Sequence, residues 1–148
     1  MSTAIIDAAQ ELTEELKPLQ FADPVSCVYL PTEYAWETHK QYLKNYGSGK
    51  KRVLMLGMNP GPWGMTQTGV PFGEIPSVRD WMGISGNVKK PVSEHPKRQV
   101  VGFDCERSEV SGRRLWGLFA EKYPKAKDFF AEHFVVNYCP LVLSLIHI

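Results

Sequence analysis

The feature that most constrains the fold is a junction. The run Val53-Leu54-Met55-Leu56-Gly57 is preceded by Lys50-Lys51-Arg52 and followed by a stretch, 58–76, dense in turn formers. That stretch holds Asn59-Pro60-Gly61-Pro62, Gly64, Gly69, Pro71, Gly73 and Pro76. A short continuous apolar run bounded by charge and glycine suits a strand buried on both faces, and hence a parallel sheet. Prolines lack the amide donor that helix and ladder need, and glycines weaken both. Residues 58–76 therefore cannot be helix or central strand and predict a long ordered loop at the strand's carboxyl end. In open α/β sheets that is where ligands sit, and long loops in compact domains are often functional.

The flanking patterns supply the other layers. Residues 4–17 set Ile5, Ile6, Ala9, Leu12 and Leu16 at helical spacing, and Pro18 ends the helix. A second helix is expected from about Glu33, capped by Thr32, through Tyr46, where Gly47-Ser48-Gly49 stops it; Trp36, Leu43 and Tyr46 form its core stripe. Ser77 caps a short helix carrying Val78, Trp81 and Met82, and residues 85–107 read as irregular. A helix over 109–122 turns Leu115, Trp116, Leu118 and Phe119 inward, Pro124 restarts a short helix, and Phe134-Val135-Val136-Asn137 reads as a second buried strand. Strands alternating with helices give an α/β layered fold.

Composition sets bounds. The 148 residues allow one domain, and 43% hydrophobic with 22% charged residues is an ordinary globular balance. Lys+Arg 17 against Asp+Glu 16 leaves a formal net charge of +1, so bulk electrostatics names no nucleic acid, membrane or acidic partner. Any such partner must be argued from a site. Cys27, Cys105 and Cys139 lie far apart with no C-x-x-C pair, which speaks against a disulfide framework or a metal cluster and for a reducing compartment, cytosol or nucleus. Asp7, Glu11, Glu14 and Glu15 interrupt the first apolar stretch, unlike a secretory signal. The chain closes on Leu141-Val142-Leu143-Ser144-Leu145-Ile146-His147-Ile148, a bare apolar run. With only two clear strands, residues 1–148 are expected to be the front part of a single domain, native-like to about 140, with 141–148 a non-native ending.

Several motifs fall in one order along the chain. They are Gly57-Met58-Asn59-Pro60-Gly61-Pro62, Gly69-Val70-Pro71-Phe72-Gly73-Glu74, Val78-Arg79-Asp80-Trp81, Glu94-His95-Pro96-Lys97-Arg98, Ser108-Glu109-Val110-Ser111-Gly112 and Asn137-Tyr138-Cys139-Pro140-Leu141. In these the chain resembles the uracil-DNA glycosylase superfamily, and within it the single-strand-selective monofunctional branch, over roughly 10–143. The resemblance implies a three-layer α/β/α domain with a central parallel sheet, incomplete in this chain. It implies a monomeric, nuclear DNA-repair hydrolase that acts on a base flipped out of DNA. The bond cut would be the N-glycosidic bond of uracil and of C5-modified, oxidised pyrimidines, in single or double strands, without cofactor, metal or membrane.

By the same resemblance Asn59 is the catalytic residue, its side-chain carbonyl holding the attacking water. Asn137 reads the base, donating to uracil O4 and accepting from N3–H, a pattern cytosine reverses. Phe72 stacks on the base, Met58 lines the pocket with its backbone, and Gly61 leaves room at C5 where stricter enzymes carry a bulky ring. Lys97 and Arg98 would contact phosphates. His95-Pro96 precedes the Asn137 strand and lacks the following Ser-Pro, so it is not the family's second-motif histidine, and His147 lacks that context too. Without that histidine the 148 residues are expected to be inactive alone.

Blander readings accompany each residue: Asn59 as a turn residue before proline, Asn137 as a strand-end hydrogen bonder, Phe72 as core, the basic residues as solvated surface. Two other functions compete. A phosphate-binding module would use the glycine loop, but the loop lacks Gly-Lys-Ser/Thr and its prolines remove donors. A non-catalytic nucleic-acid-binding domain is weakened by the near-neutral charge.

Overall fold

A computed structural model describes residues 4–144 of the chain. Helix α1 (Ala4–Leu16) runs as the apolar spacing predicts, with Ile5, Ile6 and Ala9 packed on the core and Leu12 half exposed. Strand β1 (Val28–Tyr29) leads into α2 (Pro31–Tyr34) and α3 (Trp36–Tyr46). The single helix expected from Glu33 is thus two. Pro31, its ring pre-set for a first helical turn, starts α2, and the chain breaks at Ala35, where φ is −106° and ψ 30°. Thr32 is not a cap but a buried residue whose hydroxyl accepts from Thr13 at 2.8 Å, tying α2 to α1.

Strand β2 (Val53–Gly57) pairs in parallel with β3 (His133–Asn137), in a register that sets Leu54 beside Phe134, Leu56 beside Val136 and Gly57 beside Asn137. Between them lie α4 (Met65–Thr68), a π-type turn at Ser77–Trp81, a 3-10 turn at Gly102–Asp104, α5 (Val110–Lys122) and α6 (Ala126–Phe130). Helix α4 corrects the expectation of a helix-free loop. It occupies a proline-free window of 58–76, entered at Gly64 and ended by Gly69 at φ 74°, a left-handed turn that glycine takes without strain. Ser77 makes no side-chain cap; its amide and hydroxyl instead donate to Glu74.

A second small sheet is antiparallel: β4 (Val142–Leu143) pairs with β1, Tyr29 beside Val142. Neither strand is legible from periodicity, because each is two residues long. Of the apolar ending, residues 145–148 lie outside the described residues. The described residues thus form a mixed fold with two two-stranded sheets.

The core is aromatic. Tyr42, Tyr46, Trp116, Phe129, Phe130 and Phe134 are buried together with Val135. Tyr46 stacks on Phe130 at 4.2 Å and Tyr42 on Phe134 at 5.2 Å between centroids. Strand β3 is buried in this cluster, as expected, whereas β2 is not buried on both faces. Leu54 is 63% and Leu56 60% exposed, because no described element packs over that part of the face. Leu118, expected inward, is also half exposed on the far side of α5.

Candidate active site

Both strands end at the same level, and their ends build the site. Beyond β2, the Gly57 carbonyl accepts from the Tyr138 amide at 2.8 Å and the Met58 carbonyl from the Cys139 amide at 2.9 Å, so the pairing continues into both loops. Gly57 lies against the Asn137 carboxamide oxygen, and a Cβ there would stand 2.6 Å from the Phe72 ring. Only glycine lets these two side chains close over the strand end. Phe72 and Asn137, far apart in the chain, thereby both lie against Gly57.

Asn137 is 7% exposed. Its amide nitrogen faces the Met65 sulfur at 3.3 Å, a soft acceptor, and its carbonyl oxygen is buried without a partner. Burying an unpaired acceptor costs about 1–3 kcal/mol. Such an atom marks a place where a ligand donor would be stabilising.

Phe72 sits at φ 53°, the one non-glycine residue with positive φ among those described. A bulky residue there carries strain of about 1–3 kcal/mol and persists only where its surroundings fix it. They do so here. The Phe72 carbonyl accepts from the Glu74 amide at 2.8 Å, and the flanking carbonyls of Val70 and Gly73 accept from the Gly73 amide and the Thr68 hydroxyl, each at 2.8 Å. Gly112 of α5 presses on the Phe72 carbonyl where any Cβ would collide.

The loop beneath is anchored by a buried polar hub that the residue pattern does not announce. Thr66, Gln67 and Thr68 are fully buried. Gln67 donates to the Pro62 and Gln99 carbonyls at 3.1 and 2.9 Å and accepts from the Val101 and Gly102 amides at 2.9 and 3.1 Å. Tyr34, Thr38 and His39 of α2 and α3 bond the carbonyls of Thr66, Thr68 and Gly69 at 2.6, 2.6 and 2.8 Å. Burial keeps His39 neutral, lowering its pKa to about 4, although the bond to the Gly69 carbonyl favours the proton.

Met58 and Asn59 occupy the exposed lip of the loop, Met58 being 79% exposed. The Asn59 amide makes one long contact to the Pro60 carbonyl, 3.5 Å, which leaves its side-chain oxygen uncommitted. Gly61 is half buried under Glu109, the residue just before α5. Burial, with Glu74 nearby, pushes the Glu109 carboxyl above the usual range, against the bond from Ser111. A cavity of about 200 Å³, lined by Asn137, Met65 and Pro71 together with α1, adjoins the site, but Asn59, Gly61 and Phe72 do not line it.

Of the basic residues, Lys97 is exposed and Arg98 lies over the Trp63 ring, 5.5 Å from its centroid. Arg107 covers the same ring at 4.6 Å. His95 is structural: its amide donates to the Tyr29 hydroxyl at 2.6 Å and its ring accepts from the Lys97 amide at 3.1 Å. Trp63, Gln67, Arg107 and Glu109 are the neighbours that sequence reasoning missed. Glu109 was visible in the Ser108-Glu109-Val110-Ser111-Gly112 motif and at a helix start, but with no role assigned.

No family model matches the chain. The class is defined by structure: a crystal structure of Pedobacter heparinus SMUG2 matches with a TM-score of 0.55 at 22% identity, over 90% of this chain and 53% of that one, which establishes a shared fold. Sequence comparison adds relatives of higher identity. The single-strand selective monofunctional uracil DNA glycosylase of Bos taurus is 55% identical over 132 residues, 89% of this chain and 48% of its own length. Those of Rattus norvegicus and Mus musculus are 51% and 50% identical over 142 residues, 96% of this chain and 51% of theirs. The chain is a homologue of the single-strand selective monofunctional uracil-DNA glycosylases, and it spans about half the length of the curated relatives it matches.

Proposed function

We propose that this chain supplies the base-reading and water-holding part of a monofunctional DNA glycosylase that hydrolyses the N-glycosidic bond of uracil. The observation that carries the reading is the buried, unpartnered Asn137 oxygen, which shares the Gly57 strand end with the Phe72 ring. In a flipped-out complex Phe72 stacks on the base, a contact worth about 1–3 kcal/mol. The Asn137 oxygen accepts from uracil N3–H while its amide donates to O4. Cytosine, with no proton on N3, leaves that oxygen unpaired and is rejected.

The chemistry asked of Asn59 is modest. As the C1′–N1 bond breaks, the electron pair leaves with the base and the sugar becomes oxocarbenium-like. A water oriented by the Asn59 carbonyl adds to C1′ and releases its proton, and the uracil anion later takes one up. Met58 contributes backbone to the pocket, and Gly61, which brings no side chain of its own, stands on the C5 side, where oxidised substituents such as hydroxymethyl are accepted. Lys97 and Arg98 hold phosphates of single- or double-stranded DNA. The whole domain is a three-layer α/β/α protein with a parallel sheet, monomeric and nuclear. The 148 residues contain no His-Pro-Ser stretch to stabilise the departing base, so this chain alone binds without turnover.

The test is binding and cleavage on single strands that carry one uracil or none. Preferential binding of the uracil strand, reduced about tenfold or more in Asn137→Ala, supports the reading. Equal affinity for both strands in the wild type means a non-catalytic nucleic-acid-binding domain instead. Abasic product from the wild-type chain overturns the claim that it is inactive alone.

A further inference from the structure

The ring of Trp63, four residues beyond Asn59 on the same loop, carries two cations. The Arg107 guanidinium lies over it at 4.6 Å from the centroid, and that of Arg98 at 5.5 Å. The three side chains come from separate segments, and each segment is fixed behind the ring. Gly61 and Gly64, on either side of Trp63, pack against the Glu109 carboxyl, which the Ser111 hydroxyl bonds at 2.9 Å. Glu109 stands two residues from Arg107. The buried Gln67 amide donates to the Pro62 and Gln99 carbonyls, so it ties the neighbour of Trp63 to the neighbour of Arg98. Trp63 is half buried, whereas Arg107 is exposed. Among the described residues Arg107 is in no ion pair.

We propose that Trp63 is a positioning residue that holds Arg107 against a phosphate of the DNA strand, beside the nucleotide extruded towards Asn59. The inference rests on the reading above that this chain binds DNA, and it adds Trp63 and Arg107 to the phosphate contacts of Lys97 and Arg98. A cation over an aromatic face is attracted by the ring quadrupole, and that contact uses no hydrogen-bond acceptor. The N–H donors of Arg107 therefore remain for an oxyanion. A guanidinium pre-set in this way loses less freedom when it bonds a bidentate acceptor such as phosphate. An anion also relieves the repulsion between two cations gathered at one ring. A stacked base suits the place less well, because two guanidiniums lie over the ring that it would need. Phosphate contacts position a protein without reading sequence. Loss of this contact therefore weakens strands with and without uracil alike, unlike loss of Asn137.

The test reads binding, so it does not depend on turnover by this chain. Single-stranded oligonucleotides carry one hydrolysis-resistant deoxyuridine, or thymidine in its place, and affinity is measured by fluorescence anisotropy between about 50 and 200 mM salt. Each phosphate contact to a single strand contributes about 0.7 to the slope of log K against log salt. Arg107→Gln is expected to lower the slope by about that much and to weaken both strands by the same factor, about threefold or more. Arg52→Gln, the same loss of charge at the opposite end of β2, leaves the slope unchanged. Trp63→Leu, which keeps both cations, weakens both strands, but adds little once Arg107→Gln is present. Trp63→Phe, which keeps an aromatic face, retains most of the affinity. An unchanged slope in Arg107→Gln, or an equal fall in Arg52→Gln, overturns the inference. So does a Trp63→Leu loss that adds in full to that of Arg107→Gln, the mark of a base stacked on the ring, or one confined to the uracil strand. Equal binding of both strands by the wild type sinks the base-reading proposal alone; a slope that still falls in Arg107→Gln upholds this one. Wild type that binds neither strand sinks both.

Discussion

Strands β2 and β3 are paired residue for residue, have the same length and look alike as apolar runs, yet their surroundings are opposite. Phe134 and Val135 are 5% and 0% exposed, while Leu54 and Leu56, in the same ladder, are mostly open. Apolar composition is permission to be buried; burial itself depends on what packs across the face. The contrast extends to the loops beyond. Strand β3 delivers Asn137 into the interior with an oxygen to spare, and β2 delivers Met58 and Asn59 to an exposed lip. A base reader needs the first setting, since desolvation is what makes a mismatch costly. A group that orients water works in the second.

The largest test of the contrast is truncation on the buried strand. Phe134→Ala removes a ring stacked on Tyr42 and leaves a cavity in the aromatic core. A loss of about 3–5 kcal/mol is expected, measured as the shift in the urea unfolding midpoint at constant slope. A loss below about 1 kcal/mol would mean that β3 is no better supported than β2.

Next in size is a pH effect from the helices that back β3. His39 of α3 is held neutral, its pKa lowered from 6.5 to about 4 by burial. The unfolded chain takes up this proton below its ordinary pKa while the folded chain refuses it. Stability from this group is thus complete above pH 6.5 and is lost as pH falls toward 4. The window is worth roughly 3 kcal/mol at its acid end. Urea melts of wild type and His39→Gln across that range should diverge in slope, the glutamine variant being flatter. Parallel curves would show that His39 is protonated without cost and that α3 is looser than its bonds to the glycine loop suggest.

Much of this was legible in advance, and the parts that were not share a cause. The motif order named Asn59, Phe72 and Asn137, and the apolar runs named both members of the parallel pair. Their meeting at Gly57 was not legible, since it depends on the register that sets Gly57 beside Asn137. Phe72 at positive φ runs against its own preference and is imposed by Gly112 and by the turn around it. Gln67 sits between two threonines in a glycine-rich stretch, where nothing local says that its amide will bind four backbone groups. The split of α2 from α3 follows from Pro31 and the break at Ala35, a tertiary choice that helix propensity does not record. Local pattern specified elements, and long-range contact specified which of their atoms are left unpaired.

The smallest expected effect is the sharpest probe of the comparison. Leu54 stands beside Phe134 in the ladder, and 63% of its surface is already in water. Leu54→Ser therefore gives up little buried area and opens no cavity, and its effect should stay within about 0.5 kcal/mol. Leu56→Ser, at 60% exposure, should behave the same way. Both variants are read by the same urea melts as Phe134→Ala, so the two columns of one ladder are compared under one condition. If Leu54→Ser costs more than about 2 kcal/mol, the face of β2 is covered in solution. The difference between the strands would then lie in what packs on β2, not in β2 itself.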